Sequence, residues 1–282
     1  VIRLAVRVLR DDAETALHEL LAFSPAGVEE LDVDEATVEY VLYGTPGALP
    51  SQATLRARIG DALLATDSRE IADDWQERWR AFHQPVTVAQ RFRVRAPWHA
   101  SAPGELIDLV IEPGRAFGTG AHATTRLCIE LLVTLERSGL ARGSLLDLGC
   151  GSGVLAIAAA KLGFAPVAAL DNDPLAIEAT AANAAANGVT LELCEADLQA
   201  DPLPAAETIV ANLLFEPLLA LARRPEQPRP RRLIASGLLA DQADELVREL
   251  ERRHQLRERA RRSEGGWLAL LLDRNDDPRV SS

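Results

Sequence analysis

Apolar and polar positions alternate with a period of two in IRLAVRV (2–8), the pattern of a half-buried strand. The period then lengthens: AETALHELLAF (13–23) has helical spacing and is closed by Ser24-Pro25-Ala26-Gly27, a helix stop. GVEELDVD (27–34) and ATVEYVLYG (36–44) return to strand patterning, the second β-branched and aromatic. ATLRARIGDALLA (53–65) predicts another helix, and RFRVRA (91–96) a possible last strand. This β-α-β-β-α order predicts a small ferredoxin-like α+β domain over residues 1–70.

Trp75, Trp79 and Phe82 recur at helical spacing in IADDWQERWRAFHQPVTV, and Pro85 ends the run. A linker helix and connection are predicted over 71–100, with a packed aromatic face rather than a lid. From about residue 105 the pattern changes again. SLLDLG, PVAALD, TLELCEAD, TIVANLL and RRLIASG are short apolar runs, as in strands buried on both faces. VLAIAAAKLG, PLAIEATAANAAANG and EPLLALA separate them as helices. Repeated β-α units predict an open, mostly parallel sheet covered on both sides, over 101–275. QLRERARRSEGGWLALLLDR predicts a terminal hairpin around Gly265-Gly266, which brings one antiparallel strand into that sheet.

Composition narrows the chemistry. The 282 residues carry a net charge of −12, which argues against bulk electrostatic binding of nucleic acid. Cys128, Cys150 and Cys194 are the three cysteines, and none is in a CxxC pair. No disulfide framework or structural zinc is signalled, and a cytoplasmic setting is expected. Arg3, Arg7 and Arg10 break the first apolar run, which lacks a secretory pattern. No charge-free apolar run reaches membrane-spanning length.

The sharpest motif is LLDLGCGSGVLAIAAA. A strand carries Asp147, then Gly149, Gly151 and Gly153 alternate before a helix. Glycines there allow a sharp turn and close approach of a ligand. The spacing is GxGxG with Val154 next, not the GxGxxG of dinucleotide sites. Lys161 is the sole lysine, so no phosphate-binding P-loop is present. An acid ahead of the glycines repels pyrophosphate but suits a cation, and S-adenosylmethionine carries a sulfonium and an ammonium. The D-x-G-x-G-x-G spacing is its common signature. Asp171 ends the next strand, where a carboxylate can accept from ribose hydroxyls. Asp173 or Asn172 is expected to cap the helix that Pro174 opens. Asp197 suits either the adenine amino group or a turn cap. Asn212, at the end of the fourth strand, can hold and aim an amine.

Together these stretches resemble the methyltransferase family that modifies the eleventh protein of the large ribosomal subunit. EPGRAFGTGAHATT (112–125) and VANLLFEPLLALA (210–222) are its specific parts. DWQERWRAFHQPVTV, the glycine loop, ALDNDPLAIEATAANAAANGV, IASGLLADQADELV and GGWLALLL also match, covering about 74–272. The resemblance implies a class I methyltransferase domain, Rossmann-like with a mostly parallel seven-stranded sheet, behind an N-terminal recognition domain. It implies methylation of lysine and N-terminal amines of a ribosomal protein, with no nucleic acid or membrane partner required. Its cofactor positions fall on Thr119, Gly149, Gly151, Asp171 and Asn212. Phe117 is expected beside Thr119, and Asp147 and Asp197 complete the expected S-adenosylmethionine set. Asn212 is the candidate catalytic residue. His122 is either a proton relay or a loop-shaping residue, and Thr124 and Thr125 are helix-cap candidates. RRPEQPRPRR (223–232) departs from the family and is expected to be a solvated loop. Methyltransferases of release-factor glutamine or nucleobase amines carry an Asn-Pro-Pro-Tyr-type motif, where this chain has Asn212-Leu213-Leu214-Phe215. A non-catalytic module that holds a ribosomal partner is the alternative of a different class.

Overall fold

The computed structural model describes residues 2–21, 23, 28–34, 36–44, 47, 49–70, 83–101, 104–113, 120, 122–224 and 230–274. They form two compact units. One lies within Val1–Gln84, joined by residue 113; the other holds Pro85–Glu112 and the residues from 120 onward. The linker helix expected around Trp75, Trp79 and Phe82 lies outside the described residues.

In the first unit β1 (Ile2–Leu9), α1 (Ala13–Leu21), β2 (Glu29–Asp32), β3 (Thr37–Gly44), α2 (Gln52–Ile59) and β4 (Leu63–Glu70) follow in order. The strands form an antiparallel sheet in the order β2-β3-β1-β4. Leu4, Val6 and Val8 of β1 pack with Val38, Tyr40 and Leu42 of β3 against Leu20 and Leu55 of the helices. Two expectations are corrected here. The second helix stops at Ile59, because Gly60 takes a positive φ of 65°. The last strand is then 63–70 and not 91–96. It was hidden because it is an edge strand in which only Leu63 is buried, so it shows no apolar alternation.

RFRVRA instead supplies β6 (Phe92–Arg95) of the second unit, between β5 (Val86–Val88) and β7 (Ile107–Val110) in a three-stranded sheet. After α3 (Ala123–Arg137) comes the larger sheet. Its chain order is β8 (Leu145–Leu148), α4 (Val154–Leu162), β9 (Val167–Asp171), α5 (Pro174–Asn187), β10 (Glu192–Glu195), β11 (Thr208–Asn212) and α6 (Phe215–Arg223). β12 (Arg232–Leu239), α7 (Ala240–His254), β13 (Arg257–Glu264) and β14 (Trp267–Asp273) complete it. The seven strands lie in the order β10-β9-β8-β11-β12-β14-β13. β14 alone runs opposite to the other six strands, as the terminal hairpin predicted. Successive residues of each strand alternate between the two faces. Leu145, Val210, Ile234 and Leu271 meet α3 and α4, while Leu146, Ile209, Leu233 and Leu272 meet α6 and α7. Both faces are therefore apolar, which is why the strands read as continuous runs. Arg232, at the start of β12, is buried with Asp273 (Nε to Oδ2 3.3 Å) and reaches Glu207 at 3.2 Å. No described helix is long and apolar enough to cross a membrane.

Candidate functional site

β8, β9, β10 and β11 run parallel, so their carboxyl ends open on one edge of the sheet. Ligands bind at that edge in open α/β sheets, where the strand order reverses. Here the reversal falls between β8 and β11, and the chemistry-bearing residues gather beside it.

The glycine loop follows β8. Gly149, Gly151 and Gly153 hold left-handed φ values of 70°, 52° and 78°, and the amides of Gly149 and Cys150 both donate to Leu170 O, at 2.8 and 3.0 Å. The sharp turn thus hangs from the end of β9. A Cβ on Gly149 would sit 2.4 Å from Leu213 Cδ2, and one on Gly237 would sit 2.1 Å from Leu213 O. These two glycines let Leu213, and so its neighbour Asn212, lie close to the loop. Nothing in the chain pattern marked Gly237 for this.

Asp147 is buried under the loop. Its Oδ2 accepts from Ala156 N in the first turn of α4 at 3.0 Å, while its Oδ1 is buried with no protein hydrogen-bond partner among the described residues. Burial pushes its carboxyl up to about 7, aided by Asp171 and opposed by the Ala156 N–H. A buried carboxylate oxygen without a donor is costly. It suits a ligand that brings a cationic N–H, as the ammonium of S-adenosylmethionine does. The residues present therefore fit that group.

Asp171 ends β9. Its Oδ2 accepts from Gly151 N at 2.9 Å and its Oδ1 from Asp173 N at 3.0 Å. Each carboxylate oxygen has two lone pairs, so capacity for ribose hydroxyls remains. Asp173 caps α5, accepting from Leu175 N at 2.9 Å, with Pro174 first in the helix. Asp197 follows β10, exposed, and its Oδ1 closes a turn by accepting from Gln199 N at 2.7 Å. Arg224, just beyond α6, donates to Leu198 O and Asp201 O of the same turn, both at 2.6 Å, and to Ala200 O at 3.2 Å. The 223–232 stretch is thus not merely a solvated loop at its ends: Arg224 clamps three carbonyls and Arg232 is buried in β12. Residues 225–229 lie outside the described ones.

Asn212 ends β11, half-buried. Its Nδ2 donates to Thr125 Oγ1 at 3.4 Å, so its Oδ1 is turned to other partners. Thr125 and Thr124 are buried and neither caps the helix. The cap of α3 is His122, whose Nδ1 accepts from Thr124 N at 3.4 Å and lies 2.8 Å from Thr124 Oγ1. The ring packs on Trp267 at 5.5 Å between centroids. Burial, with Arg126 close by and only Glu264 opposing, pushes its pKa down to about 4. His122 thus caps α3 with a ring that burial holds in its neutral form. Phe117 and Thr119 lie outside the described residues.

The pattern missed a polar seam on α5. Thr180 Oγ1 donates to Gly151 O at 2.9 Å. Asn183 Nδ2 donates to Ser152 O at 2.8 Å, and its Oδ1 accepts from Glu112 N at 3.0 Å. Asn187 accepts from Val110 N at 2.9 Å and donates to Val110 O at 2.7 Å. In an alanine-rich helix these looked like ordinary surface polar residues.

An acid-led glycine loop and a strand-end asparagine, joined on one edge, meet a matching family model. Residues 13–275 match the family described as ribosomal protein L11 methyltransferase. The chain belongs to this family. A ribosomal protein L11 methyltransferase of Pseudomonas paraeruginosa is 41% identical over 229 residues, covering 80% of this chain and 76% of its own. One from Burkholderia multivorans is 34% identical over 302 aligned positions, covering 97% and 98%. The crystal structure of a ribosomal protein L11 methylase from Lactobacillus delbrueckii subsp. bulgaricus superposes with a TM-score of 0.60 at 29% identity. It covers 68% of this chain and 98% of its own. Family membership makes the chain a class I, S-adenosylmethionine-dependent protein methyltransferase.

Proposed function

We propose that the chain transfers methyl groups from S-adenosylmethionine to lysine side-chain and N-terminal amines of ribosomal protein L11. The observation that carries this is Asn212: it stands beside the glycine loop with its amide nitrogen committed to Thr125 and its carbonyl oxygen left to hold an amine.

The cofactor supplies an electrophilic methyl group on a sulfonium. The attacking amine must be neutral, and deprotonating lysine at pH 7 costs about 4.6 kcal/mol. Moving the ammonium into a partly desolvated pocket beside another cation disfavours its charged form. No strong base is then required, which agrees with a His122 held neutral as a helix cap. Asn212 Oδ1 accepts one amine hydrogen and aims the nitrogen lone pair, and alignment of this kind supplies much of a rate. Asp147 holds the cofactor ammonium, and Asp171 the ribose hydroxyls, with Gly149 and Gly151 giving close approach. Asp197 is assigned to the adenine amino group, Phe117 and Thr119 to the cofactor, and, as the family resemblance implies, the N-terminal unit to substrate recognition.

Transfer of labelled methyl to a mixture of purified ribosomal proteins, release factor and ribosomal RNA tests this. Label confined to L11 supports the proposal. Label on release factor or RNA, or none on any acceptor, refutes it.

A further inference from the structure

Thr180, Asn183 and Asn187 are spaced three and four residues apart, so they share one face of α5. Thr180 and Asn183 are buried. Asn183 uses both ends of its amide: the nitrogen holds Ser152 O at 2.8 Å and the oxygen holds Glu112 N at 3.0 Å. Ser152 lies between the last two glycines of the loop, and Glu112 lies two residues beyond the end of β7. Asn187 makes a similar pair of bonds to Val110 but none to the glycine loop. The two asparagines therefore separate two roles on one helix face.

A primary amide is the short neutral side chain that offers a donor and an acceptor together. Without it, the Ser152 carbonyl and the Glu112 amide, both facing a buried side chain, lose their partner. The turn from Gly149 to Gly153 then loses one of the few bonds that fix it from outside. Leu170 O would still hold the amides of Gly149 and Cys150, and Asp171 and Thr180 would hold Gly151, but Ser152, in the second half of the turn, would lose its tie to α5.

We infer that Asn183 is a positioning residue for the cofactor: it locks the glycine loop against the backbone of Glu112, so that the loop is already shaped before S-adenosylmethionine arrives. The inference rests on the S-adenosylmethionine reading of the site. Pre-shaping acts on binding rather than on the chemical step.

The test compares Asn183→Asp, Asn183→Ser and Asn187→Ala with the wild-type full chain. The Kd for S-adenosylmethionine is measured by calorimetry, Tm by thermal melting, and KM and kcat by labelled-methyl transfer. Aspartate keeps the acceptor for Glu112 N but sets an oxygen against Ser152 O. Asn183→Asp should raise the Kd and the cofactor KM about tenfold, with kcat at saturation within about twofold of wild type. Asn187→Ala should lower Tm yet leave the Kd within about twofold. A Kd for Asn183→Asp within twofold of wild type overturns the inference. So does an Asn187→Ala variant that loses as much affinity, because α5 then acts only as scaffold. If Asn183→Asp does not fold, Asn183→Ser carries the same test: its hydroxyl is too short to serve both partners, and an unchanged Kd there overturns the inference equally. Wild-type binding is measured alongside. Its absence overturns the cofactor reading and this inference with it, whereas wild-type binding with an unaltered Asn183→Asp overturns the inference alone.

Discussion

Lowering the pH from 8 to 5 should weaken cofactor binding steeply, and the Asp147 carboxyl sets how steeply. In the free protein its pKa is pushed up to about 7, chiefly by burial. An ammonium seated on Oδ1 stabilises the carboxylate and returns the bound-state pKa towards its ordinary 3.8. Below pH 7 the free protein then carries a proton that the complex does not, so binding releases it and acid opposes binding. Relative to its plateau above pH 8, affinity should fall about tenfold at pH 6 and about a hundredfold at pH 5. His122, pushed down to about 4, stays neutral across this window. Calorimetric titration with S-adenosylhomocysteine, which keeps the ammonium, measures the profile. Buffers of different ionisation enthalpy should show about half a proton released at pH 7. Asn at this position removes the titration, so Asp147→Asn should bind more weakly and with a flat profile. A wild-type Kd that moves less than twofold between pH 8 and pH 6 would refute the assignment, as would an unchanged slope in Asp147→Asn. The unliganded protein carries the complementary signature. Its folded state binds the extra proton between 3.8 and about 7, so this group's contribution to stability falls as pH rises through that window.

Asn212→Ala should lower single-turnover methyl transfer by about two orders of magnitude, an alignment effect, with little change in cofactor Kd; normal single-turnover rates would exclude its proposed role. Asp171→Ala should weaken cofactor binding about tenfold or more by calorimetry, since it loses the ribose acceptor and also frees Gly151 N. Gly149→Ala places a Cβ 2.4 Å from Leu213 Cδ2 at a φ of 70°, and should abolish cofactor binding at a Tm near wild type or lower. Asp273→Ala removes one of the two carboxylates on the buried Arg232 and leaves Glu207, and urea unfolding should register a loss of about 1–3 kcal/mol.

The larger sheet was legible because strands buried on both faces are unbroken apolar runs, while the helices between them end at glycines. The end of α4 at Gly163 and of α5 at Gly188, both with positive φ, illustrates this. The positions of the candidate residues, though not their roles, were legible from the pattern: Asp171 and Asn212 close β9 and β11, and Asp147 lies in β8 just ahead of the glycines. What escaped depends on contacts made across long separations. β4 at 63–70 is held by backbone pairing with β1, and its exposed polar side chains carry no strand signal. The pattern left His122 between a proton relay and a structural part, and its capping of α3 against Trp267 needs the fold to be seen. Arg224 shows its part only when the turn after β10 folds back beneath its guanidinium.

The asparagine seam also bears on the open edge of the small sheet. The amides of Ile107 and Ile111 donate to Arg91 O and Arg95 O, so the intervening positions turn their backbone groups outward. Val110 and Glu112 would present an open strand edge, a ready template for another chain. Asn183 and Asn187 occupy those groups with side-chain amides. A helix thus does the work of a missing strand while offering no edge of its own to extend. The small sheet is closed on that side by two residues, and their joint loss would turn a buried seam into an adhesive margin.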